Sequence, residues 1–189
     1  MARRIGMLVN PDAGLGGKLG FKGSDGRAKE AREAGAEDRS GPRMRQALQR
    51  CIGRLDDVEL VTCSGRMGSD WCPLEHTIVF ETPDRTTAET TRLAVKALCE
   101  SGIELLLYAG GDGTTRDIVE ALNNPDFPVI GVPGGVKMHS GCFAASPNAA
   151  AEVLRSWLDG DLLLARTEVM DLDEEVYREG RWSVRMYGE

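Results

Sequence analysis

The segment Tyr108-Ala-Gly-Gly-Asp-Gly-Thr-Thr115 follows an apolar run and opens a helical pattern, the junction at which α/β folds place their ligands. Gly110, Gly111 and Gly113 permit positive φ and leave no side chain between the main chain and a ligand. Their N–H groups and the helix N-terminus can form a concavity for an anion. Asp112 is the anomaly, because a carboxylate in a phosphate cradle repels the ligand unless it serves some other purpose. It could bind Mg²⁺ or accept a proton from an attacking hydroxyl. The other reading is that Asp112 caps the helix and the glycines only turn the chain.

A second cluster, Gly131-Val-Pro-Gly-Gly-Val-Lys-Met-His-Ser140, also follows a strand-like run. Gly134 and Gly135 expose backbone amides there, and Lys137 could neutralise a phosphate. His139 and Ser140 are polar where a ligand would reach. His139 reads first as a hydrogen-bonded structural histidine, with proton transfer its other role. Cys142 reads as a small buried apolar residue, since only Lys137 or His139 is at hand to lower its pKa. The third cluster is Asn10-Pro-Asp-Ala-Gly-Leu-Gly-Gly-Lys18, in which Asn10 and the Gly14, Gly16, Gly17 turn offer donors and Lys18, with Lys22 beyond it, offers charge. It is neither a Walker A loop nor a Gly-x-Gly-x-x-Gly fingerprint. Three glycine-rich loops at the ends of parallel strands would share one edge, which is hard to attribute to accidental turns.

The elements that must hold these loops alternate along the chain. Ile5 to Val9 is a short apolar run ending at the turn signal Asn10-Pro11. Asp12 to Gly41 carries eight glycines and a short helix over Arg27 to Ala34 that Gly35 could close. Met44, Leu48, Ile52 and Leu55 share one face at helical spacing, and Val58–Cys63 and Thr77–Phe80 read as strands. Thr86 with Glu89 forms a capping box for a helix to about Cys99. Ile103 to Ala109 reads as a parallel strand covered on both faces, followed by a helix from Thr114 to Leu122 and a strand at Val129–Val132. Ser146-Pro147 starts a helix that presents Val153, Leu154, Trp157 and Leu158 and stops near Gly160.

This pattern predicts an α/β, Rossmann-like, mostly parallel sheet with helices on both faces over residues 1–160. Residues 161–189 read as the beginning of an antiparallel β domain, truncated or missing beyond that point. Its expected parts are a strand at Leu162–Leu172 and a hairpin of Glu175–Arg178 with Trp182–Tyr187 around Glu179-Gly180. Asn123-Asn124 reads as a helix-terminating turn.

Composition narrows the function classes. The chain has 189 residues, 41% hydrophobic and 28% charged, which is ordinary globular usage. Its longest apolar run, Leu105 to Ala109, is far short of the roughly 20 residues of a membrane span, and no secretory h-region precedes Pro11. Net charge is −7, with a basic, glycine-rich leading segment, which argues against general nucleic-acid binding and is compatible with a local phosphate site. No basic amphipathic segment suggests a membrane surface. Five dispersed cysteines imply reduced thiols in a cytoplasmic setting, and the spacing of Cys63, Cys72 and His76 matches no zinc pattern.

Asn10-Pro-x-Ala-Gly-x-Gly, Gly110-Gly-Asp-Gly-Thr114 and Pro133-Gly-Gly-Val-Lys-Met-His-Ser140 together resemble the ATP-NAD kinase family. The closer resemblance is to its branch of ATP- or polyphosphate-dependent NAD kinases that includes acetoin-catabolism X proteins. The wider superfamily contains diacylglycerol and sphingosine kinases and phosphofructokinases. The resemblance implies transfer of a phosphoryl group from ATP or polyphosphate to the 2′-hydroxyl of the adenosine ribose of NAD, with Mg²⁺ accompanying ATP. It implies Asp112 as catalytic aspartate, Gly110, Gly111, Gly113 and Thr114 at the donor phosphate, and Asn10 near the donor. The Pro133–Ser140 loop would line the crevice, and a homo-oligomer would complete the acceptor surface. A nucleotide-binding domain without turnover, or a kinase of a lipid or another metabolite hydroxyl, is the alternative function.

Overall fold

Leucine- and valine-rich runs alternating with amphipathic helices require a sheet covered on both faces, and the computed structural model has one. It describes residues 2–15, 33, 35–135, 138–172 and 184–188. The strands are β1 (Arg3–Val9), β2 (Val58–Cys63), β3 (Thr77–Phe80), β4 (Leu105–Gly110) and β5 (Val129–Pro133). They form a parallel sheet in the order β3-β2-β1-β4-β5. Ile5 pairs with Leu60 on one side and Leu105 on the other, and Leu107 pairs with Ile130. All six residues of β4 are buried, as a central strand with two covered faces demands.

Among the described residues two helices cover each face. On one, α1 (Ser40–Cys51) brings Met44, Ala47, Leu48 and Cys51 against Ile5, Met7, Val9, Leu105 and Leu107. On the other, α2 (Ala88–Glu100) and α3 (Asp112–Ala121) pack Ala94, Val95, Leu98, Ile118 and Ala121 against Leu8, Val61, Leu106 and Tyr108. The last helix, α4 (Pro147–Asp159), joins α1 through Ala150, Ala151 and Leu154. Ser146 caps it by accepting from Ala149 N, Pro147 takes the first helical position, and Gly160 closes it at φ 79°. Among the described residues no helix is long and apolar enough to cross a membrane.

Several local expectations change. The α1 face is carried by Met44, Ala47, Leu48 and Cys51, while Ile52 is 45% exposed. A 3-10 turn begins at Ile52 and rotates it off the α-helical stripe. The capping box of α2 is Thr87 with Thr90. Thr86 instead donates to Asp12 Oδ2 at 3.2 Å, and Glu89 pairs with Arg92. β4 starts at Leu105, two residues later than expected, and α3 starts at Asp112, two residues earlier. Val153 lies on the exposed side of α4 while the alanines pack inward.

Among the described residues the second sheet is an antiparallel pair, β6 (Val169–Leu172) with β7 (Val184–Gly188). Leu162–Leu164 are exposed, Leu163 at 98%, because a strand needs a neighbour and among the described residues this segment finds one only from Val169 onward. Val184 pairs with Leu172, while Glu175–Arg178, the expected partner of Trp182–Tyr187, lies outside the described residues. The expected turn at Glu179-Gly180 lies outside the described residues. So does the expected helix at 27–34, save Glu33, although Gly35 has the left-handed φ of 87° suited to closing one.

Candidate active site at the carboxyl edge

Strand order places the site. From β1 the chain builds outward through β2 to β3, and from β4 it builds the other way to β5, so the order reverses between β1 and β4. At such a reversal the connections leave on opposite faces and open a crevice beyond the carboxyl ends of the strands. Asn10 follows β1 there and Gly110 ends β4, and Asn10 N donates to Ala109 O at 2.9 Å across the gap. The Asn10 side chain completes the join, with Nδ2 donating to Thr114 Oγ1 at 2.8 Å and Oδ1 accepting from Asp12 N at 3.0 Å. Thr114, in the first turn of α3, also accepts from Gly111 N at 3.3 Å.

The three glycine loops meet as expected, but the glycines serve another purpose than positive φ. Gly110, Gly111 and Gly113 have none, and among the described glycines of these loops only Gly14 does, at φ 82°. A Cβ on Gly14 would collide with the carbonyl oxygen of Gly134. A Cβ on Gly134 would stand 2.8 Å from Gly110 O and collide with Ser40 Oγ, while Gly134 N donates to Gly110 O at 2.6 Å. The loops after β1, β4 and β5 therefore touch backbone to backbone. Gly111 differs, since a Cβ there would meet nothing within 4 Å. The N-terminus of α3 is open above it. Gly135 O accepts from Arg43 at 3.3 Å, while Gly16 and Lys137 lie outside the described residues.

Asp112 neither caps α3 nor stands open to a phosphate. Gly111 is the N-cap, and the Asp112 carboxylate, 8% exposed, reaches to the loop after β5. Oδ1 accepts from Ser140 N at 2.9 Å and Ser140 Oγ at 2.8 Å, and Oδ2 accepts from His139 N at 2.8 Å. His139 Nδ1 lies 2.9 Å from the same Oδ2. The carboxylate thus fastens the two loops together. Ser140 extends the join to β6, where its Oγ accepts from Met170 N at 3.1 Å. Asp171 on the same strand pairs with Arg116 of α3 at 3.0 Å.

Four donors fill the roughly four lone-pair positions of a carboxylate, so Asp112 does not fit direct Mg²⁺ ligation in this arrangement. Cys142 is held by Tyr108, whose hydroxyl is 3.0 Å from Sγ and 2.6 Å from Thr115 Oγ1. Burial raises the Cys142 thiol pKa, with its hydrogen bonds to Tyr108 and Thr115 opposing the rise, so it is a poor nucleophile. Burial likewise drives Tyr108 well above its ordinary range.

Two supporting residues escape sequence reasoning. Arg43 of α1 donates to Pro133 O at 2.8 Å, and Ser40 Oγ donates to Ala13 O at 3.2 Å. In sequence Arg43 is one of several arginines on an amphipathic helix, and no spacing distinguishes it. Asn123-Asn124 forms the expected turn, in which Asn124 Oδ1 accepts from Asp126 N at 3.0 Å.

The family model for the ATP-NAD kinase N-terminal domain matches residues 5–162, which runs from within β1 through α4 and takes in all three loops. The chain belongs to the ATP-NAD kinase family. In this NAD kinase-type domain the matched span ends just after Gly160, so β6 and β7 lie beyond it. No curated protein matches the chain.

Proposed function

We propose that the protein is an NAD kinase-type phosphotransferase that moves a phosphoryl group from ATP or polyphosphate to the 2′-hydroxyl of NAD. The observation carrying this reading is the convergence of the Asn10, Gly110 and Gly134 loops at the strand-order reversal of an ATP-NAD kinase domain. The open N-terminus of α3 above Gly111 suits a polyanionic donor, because the N–H groups and dipole of a helix start favour negative charge. Asn10, Gly14, Gly16, Gly110, Gly111, Gly113, Thr114, Gly134, Gly135, Lys137 and Ser140 would form or shape the donor cradle. Asp112 would be the carboxylate of the reaction centre. Mg²⁺ would arrive on the donor phosphates, where it neutralises charge, and this chain's part is to position the two substrates.

On this reading residues 1–160 hold the donor and residues 161–189 begin the β unit facing the acceptor, as the contact of Met170 with Ser140 supports. A cytoplasmic homo-oligomer fits the free cysteines and the exposed Met186 and Tyr187 of β7. The deciding experiment mixes the chain with NAD, Mg²⁺ and either ATP or polyphosphate, and measures NADP with an NADP-specific dehydrogenase. NADP should form with at least one donor and fall at least ~100-fold in Asp112→Asn. Donor binding without NADP would transfer support to a binding module or to another hydroxyl acceptor.

A further inference from the structure

Beyond the three loops, the β6–β7 pair brings positive charge to the crevice. Ser140 Oγ donates to Asp112 Oδ1 at 2.8 Å and accepts from Met170 N at 3.1 Å, so β6 stands one hydroxyl away from that carboxylate. Asp171, the next residue, has its Oδ2 3.6 Å from where a Cβ on Gly113 would stand, at the start of α3. Arg185 pairs with Asp171 across the two strands, and residues directly opposite in an antiparallel pair share a face. Tyr187, two residues on, shares that face.

The Tyr187 ring meets two guanidinium groups, that of Arg116 at 5.3 Å from its centroid and that of Arg185 at 5.7 Å. Arg116 spends Nη1 on Asp171 at 3.0 Å. Asp117, which also acts on Arg116, is paired with Arg92 at 3.3 Å. Arg185 is exposed and rests on the ring. A stacked guanidinium uses its face, while its N–H donors lie in its plane and stay open at the edge to an anion.

We propose that Arg185, held on Tyr187, binds a phosphate group of one of the two substrates beside Asp112. The donor's phosphate chain and the acceptor's pyrophosphate share this chemistry, and a two-pronged guanidinium contact suits either. Tyr187 and Arg116 are positioning residues. The assignment deepens the phosphotransferase reading above and rests on it.

Arg185→Gln and Arg185→Lys test it in the NADP assay, with NAD and donor varied in turn. Glutamine should raise a KM about 10–100-fold, leave kcat within a few-fold and melt like the parent chain. A rise for NAD assigns the acceptor's pyrophosphate, and a rise for ATP or polyphosphate assigns the donor. Lysine keeps the charge without the fork, so its KM should fall between those of glutamine and the parent. Both KM values within two-fold of the parent in Arg185→Gln would overturn the assignment and leave the phosphotransferase reading standing. A lowered melting temperature with kcat lost and neither KM raised would give Arg185 a structural role and overturn it equally. If the parent makes no NADP, the phosphotransferase reading fails, and calorimetry with NAD and with inorganic tripolyphosphate decides the subsite. Arg185→Gln must then weaken one of them by the same factor; equal affinities, or no binding to the parent, overturn it.

Discussion

At Gly134 the main chain passes so close to Gly110 O that one added methyl group must move a loop. Gly134→Ala is expected to lower stability by about 1–3 kcal/mol, the usual cost of overpacking a filled site. It should also weaken donor binding, because the loops after β4 and β5 would separate; calorimetry with a nucleotide and a thermal melt would check both effects. Ser140→Ala removes the hydroxyl that bonds Asp112 and leaves Met170 N without that acceptor. The loss expected for an unsatisfied buried group is about 1–3 kcal/mol, read from a denaturant titration. Neither residue announces this in sequence. Two adjacent glycines and a serine indicate a polar, pliable loop, and only the approach of Gly110 and Asp112 from another part of the chain assigns their partners.

Helix ends are the most legible elements. The Ser146-Pro147 start and Gly160 stop of α4 are local, since caps are satisfied within four residues. Ser146→Ala should cost about 1 kcal/mol and lower the melting temperature without affecting NADP formation. The cap of α2 lies one residue beyond the expected Thr86 for an equally physical reason. Both Thr86 and Thr87 can cap, and Asp12 occupies Thr86 from a distant loop. The β6–β7 pair depends still more on remote contacts, because two strands alone are marginal in water. It docks through Arg116–Asp171 and Ser140–Met170. Arg116→Ala should raise hydrogen exchange at Met170 and Val184–Gly188 while β1 and β4 keep their protection.

Across the whole molecule, two buried thiols link stability to alkaline pH. Burial raises Cys63 from 9.0 to about 12 and Cys51 from 9.0 to about 11. Between those values the unfolded chain releases protons that the folded chain retains. Their stabilisation is therefore complete below about pH 9 and is lost as pH rises through the folded values. Thermal melts across this range should show a falling midpoint, and Cys63→Val should show a shallower fall. Tyr108, buried and raised in the same direction, adds to the slope in both proteins.

The sequence by itself determined the alternation of strand and helix, the parallel sheet and the three loops on its carboxyl edge. Periodicity, apolar runs and turn residues act over a few residues, and parallel pairing follows from the crossovers. Tertiary structure alone decided that the strand order reverses between β1 and β4 and that Asp112 is tied to His139 and Ser140. It also decided that Arg43 holds the loop after β5. The hydrogen bonds among them join residues 27 to 90 positions apart, and a hydrogen bond between distant groups leaves no periodic trace in a single sequence.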